Sequence, residues 1–331
     1  MDSKTFKEKQ NLQYESKIEY AEMVAFEFYD KMQAQGKNCH VSVGGLDSIT
    51  LYLFLQKIGI NVKAISVSSL EDKSIQEIHK KLGIEAIKSY KTKAQVIDEF
   101  GYPVISKEKA GKIALLQNPT EKNKTVRHAI MTGDTGAQGG YRTGTRMRLP
   151  QKWLDLFAGM ENERYGTNYK TATFKVSNKC CYYLKEKPCE DWAKANNSVP
   201  YLGLMASEGG QREKALIKNG CNYYGKTTTR SCPFAIFTRQ DLLKLAIDLD
   251  VPIPAIYGEI VEEDDILRTT KAQRTGCSMC GFGIHIEKRP HRFDRMREAN
   301  PKEWSYWMYT KGWGEVLTYI GVGWEDIPEP K

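Results

Sequence analysis

The sequence predicts an α/β fold built on a parallel sheet. Three observations carry this: short apolar runs at Cys39–Val43, at Val62–Val67 and from Ile84 onward; helical periodicity between them; and a Gly44-Gly45 turn joining the first run to its helix. Strands that alternate with helices pair in parallel, because each crossover returns the chain to the same edge of the sheet.

The elements follow in order. Ile18, Ala21, Ala25, Phe28 and Met32 recur at three- and four-residue intervals, which predicts an amphipathic helix over residues 17–33 ending near Gly36. After Gly45, Ile49, Leu51, Tyr52, Phe54 and Leu55 are too dense for a surface helix and fit one packed on a sheet. The second strand passes through Ser68-Ser69 into a helix around Ile75, Ile78 and Leu82. Later, Val199–Met205 reads as a strand and Gln240–Asp248 as a helix stopped by Pro252 and Pro254. Trp304, Trp307, Trp313, Tyr319 and Trp324 form an aromatic tail that suits core packing better than base stacking. The expected organisation is an N-terminal helical segment (1–37), a main part (38–300) and the tail (301–331), with no linker that would cut the chain into independent domains.

Composition narrows the function. With 40% hydrophobic residues in 331, the chain can bury one large or two modest cores. No run approaches the roughly 18 apolar residues of a membrane span, and Met1-Asp2-Ser3-Lys4 is too polar for a signal peptide, so the expectation is a cytoplasmic protein without a membrane partner. Eight cysteines are too sparse for a disulfide scaffold and suit thiols or metal ligands in a reducing compartment. Of the net charge of +8, +7 falls in Lys107–Lys152, where ten basic residues meet three acidic ones. Six glycines in the same segment suggest a basic mobile insertion, suited to a phosphorylated or nucleic-acid partner or else to a solvated surface.

Two patterns carry chemistry. The Cys180-Cys181 pair, answered by Cys277-Ser278-Met279-Cys280, offers four thiolates for an iron–sulfur cluster. Zinc suits it less well, since adjacent cysteines hold their sulfurs awkwardly for one tetrahedral ion. His285 follows Cys280 too closely for a zinc finger, which leaves His285 and His291 to surface, anion-binding or supporting roles. The second pattern is Val43-Gly44-Gly45-Leu46-Asp47-Ser48. Standing between strand and helix, its backbone N–H groups can hold a phosphate, Ser48 adds a hydroxyl, and Asp47 can cap the helix or orient a metal such as Mg2+.

These motifs resemble those of a known family. The turn is similar to the S-G-G-x-D-S pyrophosphate loop of the ATP pyrophosphatase superfamily. The chain from about residue 38 to 285 resembles the phosphoadenosine-phosphosulfate (PAPS) reductase family, in its iron–sulfur branch typified by adenosine-phosphosulfate (APS) reductases. Lys179-Cys180-Cys181 with Leu184-Lys185 is similar to the cluster segment, and Gly203 to Arg212 resembles G-x-R-x-x-E-S-x-x-R. Pro233 to Asp241 resembles a Pro-Ile then Trp-Thr-x-x-Asp-Val stretch, and Gly276 to Cys280 matches the second cysteine pair.

The resemblance implies a Rossmann-like, adenine nucleotide alpha hydrolase-like sheet with a cysteine-bearing C-terminal part. It would bind ATP, APS or PAPS beside a [4Fe-4S] cluster held by Cys180, Cys181, Cys277 and Cys280. Ser42, Gly44, Gly45, Asp47 and Ser48 would hold phosphate or sulfate, Ser68 and Ser69 would face the adenosine, and Glu208 and Arg212 match the later motif. The departures are Val43 for the first serine of the loop, Met205 for the motif arginine, Gly209 for its serine, and no cysteine after Cys280 where thiol-dependent reductases carry their nucleophile. Cys232, with Cys189 and Cys221 behind it, is the candidate fifth thiol or replacement ligand, a buried structural cysteine being the alternative role of each. The readings are sulfonucleotide reduction with an electron or sulfur donor protein, ATP-dependent thiolation of nucleic acid (tRNA thiolation or DNA phosphorothioation type), and a non-catalytic nucleotide- or nucleic-acid-binding module.

Overall fold

The computed structural model describes residues 3–137, 140–142, 144–161 and 166–325, without the side chains of 137 and 140–142. Its strands are β1 (Asn38–Ser42), β2 (Lys63–Ser66), β3 (Glu85–Ala86), β4 (Val104–Ile105), β5 (Thr135–Ala137), β6 (Gly140–Arg142), β7 (Ser198–Tyr201), β8 (Asn222–Tyr224), β9 (Thr229–Ser231), β10 (Ile260–Glu263), β11 (Ile266–Thr269) and β12 (Gly281–Phe282). The first helices are α1 (Ser3–Gln10), α2 (Tyr14–Ala34), α3 (Leu46–Lys57) and α4 (Lys73–Lys81). The chain forms two compact units, Met1–Ser89 with Lys185–Ser278 and Tyr90–Leu184 with Met279–Lys331. The stretch 38–300, read from sequence as one part, is thus shared between two cores.

The first unit is α/β. Its six-stranded sheet runs β3-β2-β1-β7-β9-β8, parallel except where β8 pairs antiparallel with β9. Cys39, Val41, Ala64 and Ile65 are all buried, as expected of parallel strands covered on both faces. α3 buries Leu46, Ile49, Leu51, Phe54 and Leu55, so its dense apolar pattern is a helix set deep in the core. α2 buries Ala21, Val24, Ala25, Phe28 and Met32. Strand β7 stops at Tyr201, short of the expected Met205: Leu204 N–H bonds back to the Leu202 carbonyl at 2.9 Å, and this three-residue turn takes the chain out of the ladder.

The sheet changes direction at β1. The chain goes from β1 to β2 and β3 on one side, and β7 and β9 lie on the other. In open parallel sheets the crevice outside the carboxyl ends of two such strands is where ligands bind. The glycine turn 43–46 leaves β1 at that point.

The second unit is mostly helical, with β4 paired parallel to β12 and β5 and β6 forming a hairpin. Trp304, Trp307, Trp313 and Trp324 are buried in its core with Ile113, Leu116, Ile130, Trp153 and Phe157, so the aromatic tail packs rather than stacks bases. The basic segment is not simply a mobile loop. Lys107–Gln117 and Lys124–Thr132 are helices that bury Ala110, Ile113, Leu116, Ala129, Ile130 and Met131. Their apolar spacing outweighs the glycines. Arg127 is itself buried, with Nε 2.5 Å from Glu161.

Candidate functional site

Gly45 precedes α3, and the loop is held by three side chains. Ser48 Oγ accepts from Gly44 N–H at 2.8 Å and donates to the Gly45 carbonyl at 3.0 Å. The Tyr257 hydroxyl accepts from Leu46 N–H at 3.1 Å and lies 2.8 Å from Thr275 Oγ1. A Cβ on Gly45 would come within 2.2 Å of that hydroxyl, so only glycine admits Tyr257 there. His79 bonds to the Gly44 carbonyl through Nε2 and to Ser68 Oγ through Nδ1, each at 2.8 Å. A carbonyl can only accept, so Nε2 carries the hydrogen and Nδ1 accepts from Ser68. Ser68 therefore braces the loop through His79, while Ser69 is exposed.

The β7 edge closes on this loop. A Cβ on Gly203 would lie 3.0 Å from the Asp47 carbonyl and from Ser48 Cα, so the two backbones meet at a contact that favours glycine. Asp47 Oδ1 accepts from Arg239 Nη1 at 2.7 Å, and Arg239 Nη2 donates to the Gln273 carbonyl. Burial pushes the Asp47 carboxyl above the ordinary carboxylate range; Arg239 and Arg274 draw it down and Glu208 pushes it further up. Glu208, its side chain 6% exposed, pairs with both Arg212 and Arg274. Two carboxylates and three guanidiniums thus stand around the mouth of the loop.

Buried groups at this edge lack partners among the described residues. Ser66 and Ser231 are the last residues of the parallel strands β2 and β9, and their hydroxyls, like Arg239 Nε, are buried and unpaired. Such atoms suit a polar ligand. Val43 is buried in the core and Ser42 is half-buried at the end of β1, so the serine missing from the loop is replaced by a packing residue. Met205, in place of the motif arginine, is 2% exposed and belongs to the same apolar cluster.

One cysteine lies close to these groups. Lys185 Nζ is 2.5 Å from Glu71 Oε1. Burial opposes the Lys185 charge, but the Cys277 sulfur and Glu71 outweigh it and hold the ammonium above the ordinary lysine range. Cys180, Cys181 and Cys280 belong to the second unit, where Cys180 and Cys181 ride the short helix Lys179–Cys181 and the Cys280 carbonyl accepts from Arg292. No group of three or more His, Cys, Asp or Glu among the described residues is disposed to hold a metal ion. By donor type the thiols fit an iron–sulfur cluster, and Asp47 is engaged by Arg239.

Cys232 is fully buried, and burial pushes its thiol up to about 12, which leaves it protonated and inert at neutral pH. Burial likewise raises Cys39 to about 12 and Cys189 to about 11, and it raises Cys221, whose sulfur lies 3.9 Å from the Tyr20 hydroxyl. His291 is not at the surface: it is buried and caps the helix Arg292–Ala299, its Nδ1 accepting from Asp294 N–H. His285 is half-buried edge-on to Trp153.

His79, Tyr257, Thr275, Arg239, Arg274, Ser66 and Ser231 escaped the sequence reading. Only Arg239 lay inside a matched motif; the others are brought to the loop by tertiary structure. No family model matches the chain, and no curated protein matches it in sequence. Among the described residues no helix is long and apolar enough to cross a membrane.

Proposed function

We propose that the chain is an adenine-nucleotide enzyme of sulfur chemistry, of the PAPS reductase family, whose first reading is reduction of APS or PAPS. The observation that supports it is the β1–α3 loop at the point where the parallel sheet reverses, pressed by Gly203 and ringed by Arg212, Arg239 and Arg274. In that reading the helix N-terminus and the guanidiniums bind and orient the phosphate and sulfate oxygens, and a dithiol partner supplies the two electrons that turn the sulfuryl group into sulfite as AMP leaves from APS, or adenosine 3′,5′-bisphosphate from PAPS.

The state of the thiols favours a second reading. Cys39, Cys189, Cys221 and Cys232 are all held as thiols by burial, which leaves Cys277, itself a candidate cluster ligand, as the remaining cysteine of the first unit for a covalent sulfo intermediate. An ATP-dependent sulfurtransferase needs no such intermediate: the loop grips pyrophosphate, an acceptor oxygen is adenylated, and sulfur displaces AMP. A [4Fe-4S] cluster on Cys180, Cys181, Cys277 and Cys280 belongs to both readings through donor type alone; when bound it would supply electrons or carry sulfur.

Product analysis separates them. Sulfite released from APS or PAPS with a dithiol supports reduction, whereas AMP and pyrophosphate formed from ATP only when RNA or DNA is present supports thiolation. Neither product from any of these substrates refutes both. Anaerobic purification should give a brown protein with about four irons per chain; zinc in its place removes the cluster.

A further inference from the structure

We propose that Arg274 supplies the cation that position 205 lacks, and that with Arg212 and Arg239 it clamps the terminal anionic group of the nucleotide. The inference rests on the nucleotide reading above and goes beyond it by assigning a binding role to a residue outside every motif matched in the sequence.

Position 205 cannot serve this purpose. Met205 is buried in the apolar core, and a guanidinium there would have to leave water without a partner. Arg274 lies far along the chain, in the stretch after β11, yet its Nη2 meets Glu208 Oε1, the same oxygen that takes Arg212 Nη1. Glu208 is nearly enclosed, while the Arg274 and Arg212 side chains are 60% and 50% exposed. The buried carboxylate thus anchors two guanidiniums on side chains that stay at least half exposed. Arg239 joins them through Asp47, on the first turn of α3, and keeps its buried Nε unpaired among the described residues.

The charge count favours an anion. Three guanidiniums against Asp47 and Glu208 leave one positive charge in excess, next to the positive end of α3. Asp47 and Glu208 also repel each other, which adds to the burial that raises the Asp47 carboxyl. A tetrahedral oxyanion suits these donors, because forked guanidiniums reach several of its oxygens at once. The substrate class is therefore a nucleotide ending in phosphate or sulfate. Glu208 is a positioning residue in this scheme.

Calorimetric titration of the full chain with inorganic pyrophosphate, ATP, APS and adenosine tests the assignment. Arg274→Ala should weaken pyrophosphate and both charged nucleotides by about ten-fold or more, the loss expected for a charge-assisted hydrogen bond, and leave adenosine affinity unchanged. Arg274→Lys, which keeps the charge and loses the fork, should fall between. Arg268→Ala on β11, where Arg268 pairs with Glu263, is the control and should bind as the parent does. Pyrophosphate affinity unchanged in Arg274→Ala, or adenosine weakened equally, overturns the clamp while the nucleotide reading stands. A parent chain that takes up none of the four ligands overturns both.

Discussion

His79 determines how firmly the loop is held. Its ring joins Ser68 to the Gly44 carbonyl, and burial depresses its pKa below the ordinary imidazole value, with Lys185 adding to this and the Gly44 bond and Glu71 opposing it. The native state therefore favours neutral imidazole. As pH falls below about 6.5 the unfolded chain takes up a proton that the native ring resists. Stability from His79 is complete above that value and lost as pH falls through the depressed native one. His79→Ala should cost about 1–3 kcal/mol at neutral pH and flatten the loss on acidification, as read by urea denaturation at pH 7.5 and pH 5. Equal acid sensitivity in parent and variant would falsify this account. Cys232 carries a second prediction: iodoacetamide should leave its thiol unmodified in the native chain, and Cys232→Ala should keep the parent's activity. Labelling of Cys232 at a rate like that of an open thiol refutes its placement. Sequence could nominate Cys232 by its position near a motif, but depth, which sets its chemistry, comes from residues distant along the chain.

At the scale of elements, part of the family-like sequence proves to be architecture. Thr238 and Asp241, in the stretch resembling Thr-x-x-Asp, form a capping box at the start of the helix Arg239–Asp248. The same Asp241 carboxylate takes the buried Lys17 ammonium of α2 at 2.7 Å. Capping and ion pair together tie α2 to that helix and aim Arg239, its first residue, at Asp47. Asp241→Ala strands a buried lysine, so it should destabilise the chain by about 3 kcal/mol or more. Adding Lys17→Met should recover much of that loss, since the pair is then replaced by apolar packing. A double variant no more stable than Asp241→Ala refutes the coupling. The apolar stripe of α2 was legible from its spacing, but Lys17 was not, because a lysine among i, i+3 and i+4 positions gives no sign that a carboxylate from residue 241 will meet it.

Over the whole molecule, local pattern carried furthest where contacts are local. β1, α3, β2 and α4 follow one another with short turns, and their periodicity was readable residue by residue. The second unit gathers Tyr90–Leu184 and Met279–Lys331 from separate stretches, so no composition shift marks it, and its helices were hidden in a segment read for its charge. That segment still holds most of the net charge. Among its basic residues Arg127 is buried against Glu161 and Lys112 is paired with Glu108, whereas Arg146 and Arg148 are exposed. The side chain of Arg142, also a candidate contact, lies outside the described residues. Counterion release makes each phosphate contact worth about 0.9 in the slope of log affinity against log salt on duplex DNA and about 0.7 on single strands. If a nucleic acid is the sulfur acceptor, Arg146→Ala with Arg148→Ala should reduce that slope by about 1.4 to 1.8. Pyrophosphate affinity, assigned to the loop with Arg212, Arg239 and Arg274, should stay at the parent's level. An unchanged slope, measured by fluorescence anisotropy on labelled RNA and DNA across a salt series, removes these arginines from the acceptor's path and leaves the sulfonucleotide reading the stronger.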